Sequence, residues 1–251
     1  MGKNIYSILS AKYYDAVVNK KQYEKEAVFY SGLLNKFHAR SVLELGCGTG
    51  LYLVLLKRMG FDIEGLDLSK PMLKEVQRKD RKIKLYNRDM SNFKIGKKYD
   101  AVLCLGSSLI FLPNFSLIEK TLINSYNHLK QNSILILDLP NHTKEIKERN
   151  HKVSRTSIKL PKGRLYSTSH SYRKGDKWIE VWHGKVVEGK KILRFRDVDE
   201  EIIYSPKKLE ASIRSAGFKI LKIYGSANEE SVFDVKESDR RIYLCRKNKS
   251  L

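Results

Sequence analysis

Between Ser41 and Leu139 the chain alternates short apolar runs with stretches of helical period. Ser41-Val42-Leu43-Glu44-Leu45 reads as a strand that runs into the turn Gly46-Cys47-Gly48-Thr49-Gly50. A helix follows, with Leu51, Val54, Leu55 and Met59 spaced to share a face. Asp62–Leu66 predicts a second strand, after which Ser69 reads as an N-cap and Pro71 sits in the first helical turn. Ile83–Tyr86 and Ala101–Leu105 predict the third and fourth strands. A helix carrying Ile118, Leu122, Tyr126 and Leu129 leads to a fifth strand at Ile134–Leu137. Nearly continuous apolar strands separated by helices indicate parallel strands covered on both faces. The fold class is α/β: a doubly wound, mostly parallel sheet.

Two flanking regions break this rhythm. Lys20 to Phe37 places Tyr23, Ala27, Tyr30, Leu34 and Phe37 on the inner face of an amphipathic helix. From Gly163 onward, Leu165–Ser169, Trp178–Trp182 and Ile192–Arg196 are β-rich runs divided by the hairpin turns Lys174-Gly175-Asp176 and Glu188-Gly189-Lys190. This predicts an antiparallel insertion between the fifth and sixth strands. The α/β pattern returns with a Ser205 cap, Pro206, and a helix that stops at Gly217. Strands at Phe218–Tyr224 and Arg241–Cys245 close the chain, and the charged tail after Arg246 is expected to fray.

Composition narrows the class of protein. A chain of 251 residues with 41% hydrophobic and 31% charged residues is globular and holds one to two domains. No apolar stretch is long enough to span a membrane, and Met1–Tyr6 carries no apolar signal core. Cys47, Cys104 and Cys245 are too widely spaced for a Cys-x-x-Cys clip, and no metal site is expected. A cytoplasmic protein with reduced thiols is the expectation. Its net charge of +21 would draw polyanions, or it would simply be solvated charge spread over the surface. From Lys144 to Arg196, sixteen Lys or Arg stand against five Asp or Glu, a local excess of eleven.

The glycine turn lies between a strand and a helix, where backbone can approach a ligand closely. Such a loop is also an ordinary strand–helix turn, so its spacing matters. A dinucleotide fingerprint needs Gly-x-Gly-x-x-Gly, but here Leu51 occupies the last glycine's place. A P-loop needs Gly-Lys-Ser/Thr, which is absent. Asp67 follows Gly50 by seventeen residues at the end of the second strand, where a carboxylate can accept both hydroxyls of a ribose. Asp89 follows the third strand at the same edge. It can receive an exocyclic adenine amine, with Met90 or Leu68 against the ring.

With these residues in place, the sequence resembles the class I S-adenosylmethionine-dependent methyltransferases of small-molecule type, from about Ala11 to Leu251. Glu44-x-Gly46-x-Gly48-x-Gly50 looks like their first motif, Gly65-Leu66-Asp67-Leu68-Ser69 like the ribose-binding element, and Arg88-Asp89-Met90 like the adenine-binding one. Tyr13-Tyr14-Asp15 is similar to a Tyr-Tyr-Asp element on the segment that lids the cofactor, and Leu105-Gly106-Ser107 matches the strand end beside the methionine moiety. The resemblance implies a cofactor site of Tyr14, Glu44, Gly46, Cys47, Gly48, Gly50, Asp67, Leu68, Met72, Asp89, Met90 and Leu105. It also implies a core of residues 1–150 and 201–251 with an N-terminal helical lid, and an acceptor-binding insertion at 151–200. S-adenosylmethionine is the implied cofactor, leaving as S-adenosylhomocysteine.

Methyl transfer needs alignment of acceptor and methyl carbon, together with a base for an acceptor that carries a proton. Asp138 and His142, after the fifth strand, are the candidate catalytic residues; each histidine is equally readable as a surface residue, and Asp138 as a turn cap. In the insertion, Tyr166, Trp182, His183, Arg194 and Arg196 are candidate substrate contacts, with Arg194 and Arg196 sharing a strand face and Phe195 opposite. The expected reaction is methylation of N or O on a small metabolite, anionic acceptors included, by a monomer or homodimer. An RNA methyltransferase suits the charge, but Leu105-Gly106-Ser107-Ser108 lacks the Asn/Asp-Pro-Pro-aromatic pattern of exocyclic-amine enzymes. A binding protein without turnover is the third reading.

Overall fold

The computed structural model describes residues 8–248, so Met1–Tyr6 and the end of the charged tail lie outside the described residues. Two helices, α1 (Ile8–Val17) and α2 (Lys20–Lys36), lead into an alternating core. That core runs β1 (Ser41–Leu45), α3 (Leu51–Arg58), β2 (Asp62–Asp67), α4 (Lys70–Lys79), β3 (Leu85–Asn87) and β4 (Tyr99–Cys104). A 3-10 turn at Ser108–Phe111, α5 (Phe115–His128), β5 (Leu129–Pro140) and α6 (His142–Arg149) follow. Four long strands come next: β6 (Lys152–Leu160), β7 (Gly163–Lys174), β8 (Lys177–Glu188) and β9 (Lys191–Ile202). The chain ends with α7 (Pro206–Ser215), β10 (Phe218–Tyr224) and β11 (Arg240–Lys247).

The main sheet has seven strands in the order β10-β11-β5-β4-β1-β2-β3. β3, β2, β1, β4 and β5 are parallel, and β11 pairs antiparallel with both β5 and β10. The order reverses beside β1, between β4 and β2, and in open sheets of this kind ligands bind at that point, at the carboxyl ends of the strands. Each sheet face is covered by its own apolar layer. One layer brings Tyr30, Leu33 and Leu34 of α2 and Leu53 and Leu56 of α3 against Val42, Leu103 and Ile136. The other brings Ile118 and Leu122 of α5 and Leu209 and Ile213 of α7 against Leu43, Val102 and Leu135. Double burial explains why these strands are apolar throughout. A second sheet, in the order β6-β7-β8-β9, is wholly antiparallel.

Several local expectations change. The buried face of α3 is Tyr52, Leu53, Val54 and Leu56, whereas Met59 is exposed. The helix is short and lies flat on the sheet, which buries adjacent positions rather than one stripe. Leu129 opens β5 instead of closing α5, and Ile83 precedes β3. β6 is an additional strand, hidden in the sequence because almost all of its residues are solvent-exposed and carry no apolar alternation. Lys247 does not fray. It is buried in β11, and its Nζ donates to the carbonyls of Tyr126 (2.7 Å) and Leu129 (2.9 Å).

Candidate active site

The glycine loop turns because Gly46, Gly48 and Gly50 all adopt left-handed backbone, at φ +64°, +53° and +78°. Their surroundings differ. A Cβ on Gly46 would meet Ser108 Cβ at 2.5 Å and the Met90 methyl at 3.0 Å, whereas one on Gly48 would have nothing within 4 Å. Ser108 Oγ donates to the Gly46 carbonyl (2.8 Å), tying the turn after β4 to the loop after β1. Cys47 turns its thiol into the core towards Gly65 and reaches the site edge only through its backbone.

Asp67, at the end of β2, accepts from the Gly48 amide (2.8 Å) on one oxygen and the Ser69 amide (2.7 Å) on the other. Each oxygen keeps a lone pair for a hydroxyl donor. Asp89 lies two residues beyond β3, on the same edge, and accepts from the amide and hydroxyl of Ser91, both at 2.8 Å. β2 and β3 are adjacent and parallel, so both carboxylates stand at the carboxyl end of the sheet. Leu68 is exposed beside them, Met90 lies over Gly46, and Leu105 follows β4 in the buried layer. Met72 is buried in the first turns of α4 and keeps that helix seated.

Glu44 is the unusual group. It is 2% exposed, its Oε2 has no partner, and burial, then Asp67, pushes its carboxyl up to about 8. A buried carboxylate with an unsatisfied oxygen beside an open glycine loop fits a cationic ligand group. S-adenosylmethionine, with its ammonium and its sulfonium, meets that demand, and the space at Gly48 admits it.

Two further walls enclose the edge. α1 supplies Tyr13, Tyr14 and Asp15, which face three different partners. Tyr13 packs on Leu160, Leu165 and Val186 of the second sheet and donates to Glu188 (2.7 Å). Burial raises the Tyr14 phenol, as do the neighbouring Asp199 and Asp15 carboxylates, and its partner is Tyr23. Asp15 accepts from Thr49 Oγ1 (2.6 Å) and pairs with Lys79. The Tyr23 and Tyr52 rings meet at a tilt of 40° with centroids 4.7 Å apart, Tyr52 lying next to Gly106 and donating to Glu26.

The predicted base candidates are both engaged. Asp138 is 2% exposed and accepts from Arg240 Nε (2.8 Å) and the Gly106 amide (3.2 Å). His142 is buried with Nε2 3.3 Å from Glu201. Of the predicted substrate contacts, the structure turns only Trp182 to the inward face, which carries Asp199 near Tyr14 of α1. Strand alternation sends Tyr166, His183, Arg194 and Arg196 to the opposite, outward face, where they are exposed. With Arg155 and Lys185 they line an open depression of about 780 Å³. The inward face instead carries Glu180, Asp197, Asp199 and Glu201 beside Trp182. Asp199 and Glu201 escaped the sequence reading, although Asp197-x-Asp199-x-Glu201 is a period-two acidic pattern that aims all three one way.

A left-handed glycine loop and two carboxylates on one edge of an α/β sheet suit an adenosyl ligand. The profile of the family described as "Methyltransferase domain" matches residues 42–132. The Streptomyces venezuelae dTDP-3-amino-3,4,6-trideoxy-alpha-D-glucopyranose N,N-dimethyltransferase is 25% identical over 91% of this chain and 98% of its own length. A glycine/sarcosine N-methyltransferase of Parasynechococcus marenigrum is 32% identical over 69% of this chain and 58% of its own. The S-adenosylmethionine-bound amino pentose methyltransferase CalS10 from Micromonospora echinaspora superposes with a TM-score of 0.76, at 21% identity, over 99% of this chain and 100% of its own. At that identity the likeness is one of fold. The chain is an S-adenosylmethionine-dependent methyltransferase, and S-adenosylmethionine is its cofactor. No helix among the described residues is long and apolar enough to cross a membrane.

Proposed function

We propose that the enzyme methylates the amine nitrogen of a small molecule. One observation carries this reading: the wall facing α1 is acidic, with Glu180, Asp197, Asp199 and Glu201 on one sheet face, while Arg155, Lys185, Arg194 and Arg196 point outward. Buried carboxylates favour a cationic guest and disfavour an anionic one. The local basic excess therefore supports no anionic acceptor at this wall. The names of the relatives, an amino-sugar N,N-dimethyltransferase and a glycine/sarcosine N-methyltransferase, support the same acceptor atom.

In this assignment Asp67 holds the ribose hydroxyls, Asp89 the adenine amine with Met90 and Leu68 on the ring, and Glu44 the cationic end of the methionine moiety. The cofactor supplies a methyl group whose bond electrons leave on sulfur. Tyr14, Tyr23 and Tyr52 exclude water and shape the acceptor space. Asp138 keeps the turn at Gly106 in place, a positioning role set by its pairing with Arg240. Methyl-labelled S-adenosylmethionine offered with glycine, sarcosine and a dTDP-linked amino sugar, each beside its hydroxyl counterpart, tests the reading. Label should enter an amine and none of the hydroxyl analogues; label in hydroxyl compounds alone, or in none, contradicts it.

A further inference from the structure

We propose that Asp199, on the inward face of β9 beneath Tyr14, is the carboxylate that receives the acceptor's ammonium group and removes its proton. This inference rests on the amine reading above and names the residue that carries it out. Glu180, Glu145 and Glu201 each have a basic side chain beside them, although one Glu145 oxygen is also buried without a partner. Glu180 lies directly opposite Asp199 in the β8–β9 register, and it accepts from Arg149 (2.9 Å) and Ser171 (2.9 Å). Glu201 faces His142 at 3.3 Å, and Glu145 accepts from Arg149 (2.7 Å). Asp199 accepts from the Trp182 indole, and its buried Oδ1 has no partner.

The charge around it is negative apart from Arg149. β9 contributes Asp197 and Glu201, β8 contributes Glu180, and α1 contributes the neutral phenol of Tyr14. α6 contributes Glu145 together with His142 and Arg149, both turned to other carboxylates. Carboxylates directly opposite on one sheet face repel unless a cation lies between them. A second observation points to a guest as well: His142 is 5% exposed and leaves Nδ1 without a partner in the same cluster. Burial and the surrounding Glu201, Glu180 and Asp197 push the Asp199 carboxyl up to about 7, close to where a base works best at neutral pH.

The step balances. The ammonium N–H bond breaks, its proton passes to Asp199, and the electron pair left on nitrogen becomes the nucleophile for the methyl carbon. The product nitrogen takes up the positive charge released from sulfur, and the Asp199 proton leaves to solvent.

Trp182 reports on this carboxylate directly. In a Trp178→Phe background with S-adenosylhomocysteine bound, Trp182 fluorescence should titrate with a midpoint of about 7. Saturating methylammonium chloride should lower that midpoint, because a cation beside the carboxylate favours its ionised form, while potassium chloride at equal ionic strength should not. Asp199→Asn should abolish the titration. If the Trp178→Phe chain does not fold, the same comparison is read as the difference between the natural chain and Asp199→Asn. A midpoint that methylammonium leaves in place overturns the proposal. With an amine that the labelling panel identifies, Asp199→Asn should lower kcat about 10²–10⁴-fold, with S-adenosylhomocysteine affinity retained; an unchanged kcat also overturns it. Calorimetry on the same samples separates the two levels, since absent S-adenosylhomocysteine binding would remove the methyltransferase site itself.

Discussion

Asp15 of the N-terminal helix accepts a hydrogen bond from Thr49, at the tip of the glycine loop, across 2.6 Å. Its other oxygen meets Lys79, whose Nζ also donates to the Thr49 carbonyl (2.7 Å). The lid helix is thereby latched to the segment that would contact the cofactor, while the adjacent Tyr13 is held by the second sheet. One helix joins both walls of the site.

Breaking the latch should loosen the lid without unfolding the core. Thr49→Val removes one charge-assisted hydrogen bond, worth about 1.5–3 kcal/mol. Stopped-flow displacement of S-adenosylhomocysteine should show faster dissociation, and proteolysis should cut near α1 sooner. Unchanged dissociation would detach the helix from cofactor retention.

Glu44 should make cofactor binding release a proton. Its carboxyl sits at about 8 in the empty site, so at neutral pH it is largely protonated and ionises when a cation arrives. Calorimetry in buffers of different ionisation enthalpy should detect proton release that Glu44→Gln abolishes. The sign for stability is equally definite. A carboxyl whose folded value lies above its unfolded value destabilises the fold progressively as pH rises from about 4.5 to about 8. The ligand-free Glu44→Gln protein should therefore melt higher than the natural chain at mildly alkaline pH, yet bind cofactor more weakly.

Two glycines of the loop should respond differently to alanine. Gly48→Ala costs only the left-handed strain of about 1–2 kcal/mol, because nothing lies within 4 Å of the new methyl. That methyl occupies open space, so the variant should fold and lose cofactor affinity. Gly46→Ala drives its methyl into Ser108 and should lower the melting temperature further. Thermal melts of the two variants, with calorimetry on Gly48→Ala, check both statements.

Arg240 should matter more to folding than to chemistry. Removing one partner of a buried pair leaves an uncompensated charge, at a cost of about 3–5 kcal/mol. Arg240→Met should therefore destabilise strongly in denaturant titrations, because Asp138 is 2% exposed and is left without its guanidinium. Substituting Asp138 together with Arg240 should recover much of the loss.

The sequence made the sheet and its ligand edge readable for a physical reason. Strands buried on both faces must be apolar throughout, and a left-handed loop must be glycine, so both constraints are written locally in residues 42–50 and 62–67. The insertion was legible as β structure from its turns, but not in its facing. Arg194 and Arg196 were correctly paired on one side. Which side met the lid depended on Tyr13 packing against Leu165 and Val186, a contact more than a hundred residues distant in sequence. For the same reason, Asp138 looked like a free base: its partner Arg240 lies on a strand that joins the sheet only at the end of the chain.

Asp67 carries the cofactor assignment most directly, its two oxygens gathering the Gly48 and Ser69 amides at the carboxyl edge of the sheet. Isothermal titration of the natural chain and Asp67→Ala with S-adenosylhomocysteine is the measurement. The natural chain should bind saturably at one site, and the variant should bind weaker by about 1.5–3 kcal/mol, as for the loss of hydrogen bonds to a charged group. No heat with the folded natural chain, or equal affinity in the variant, would contradict it.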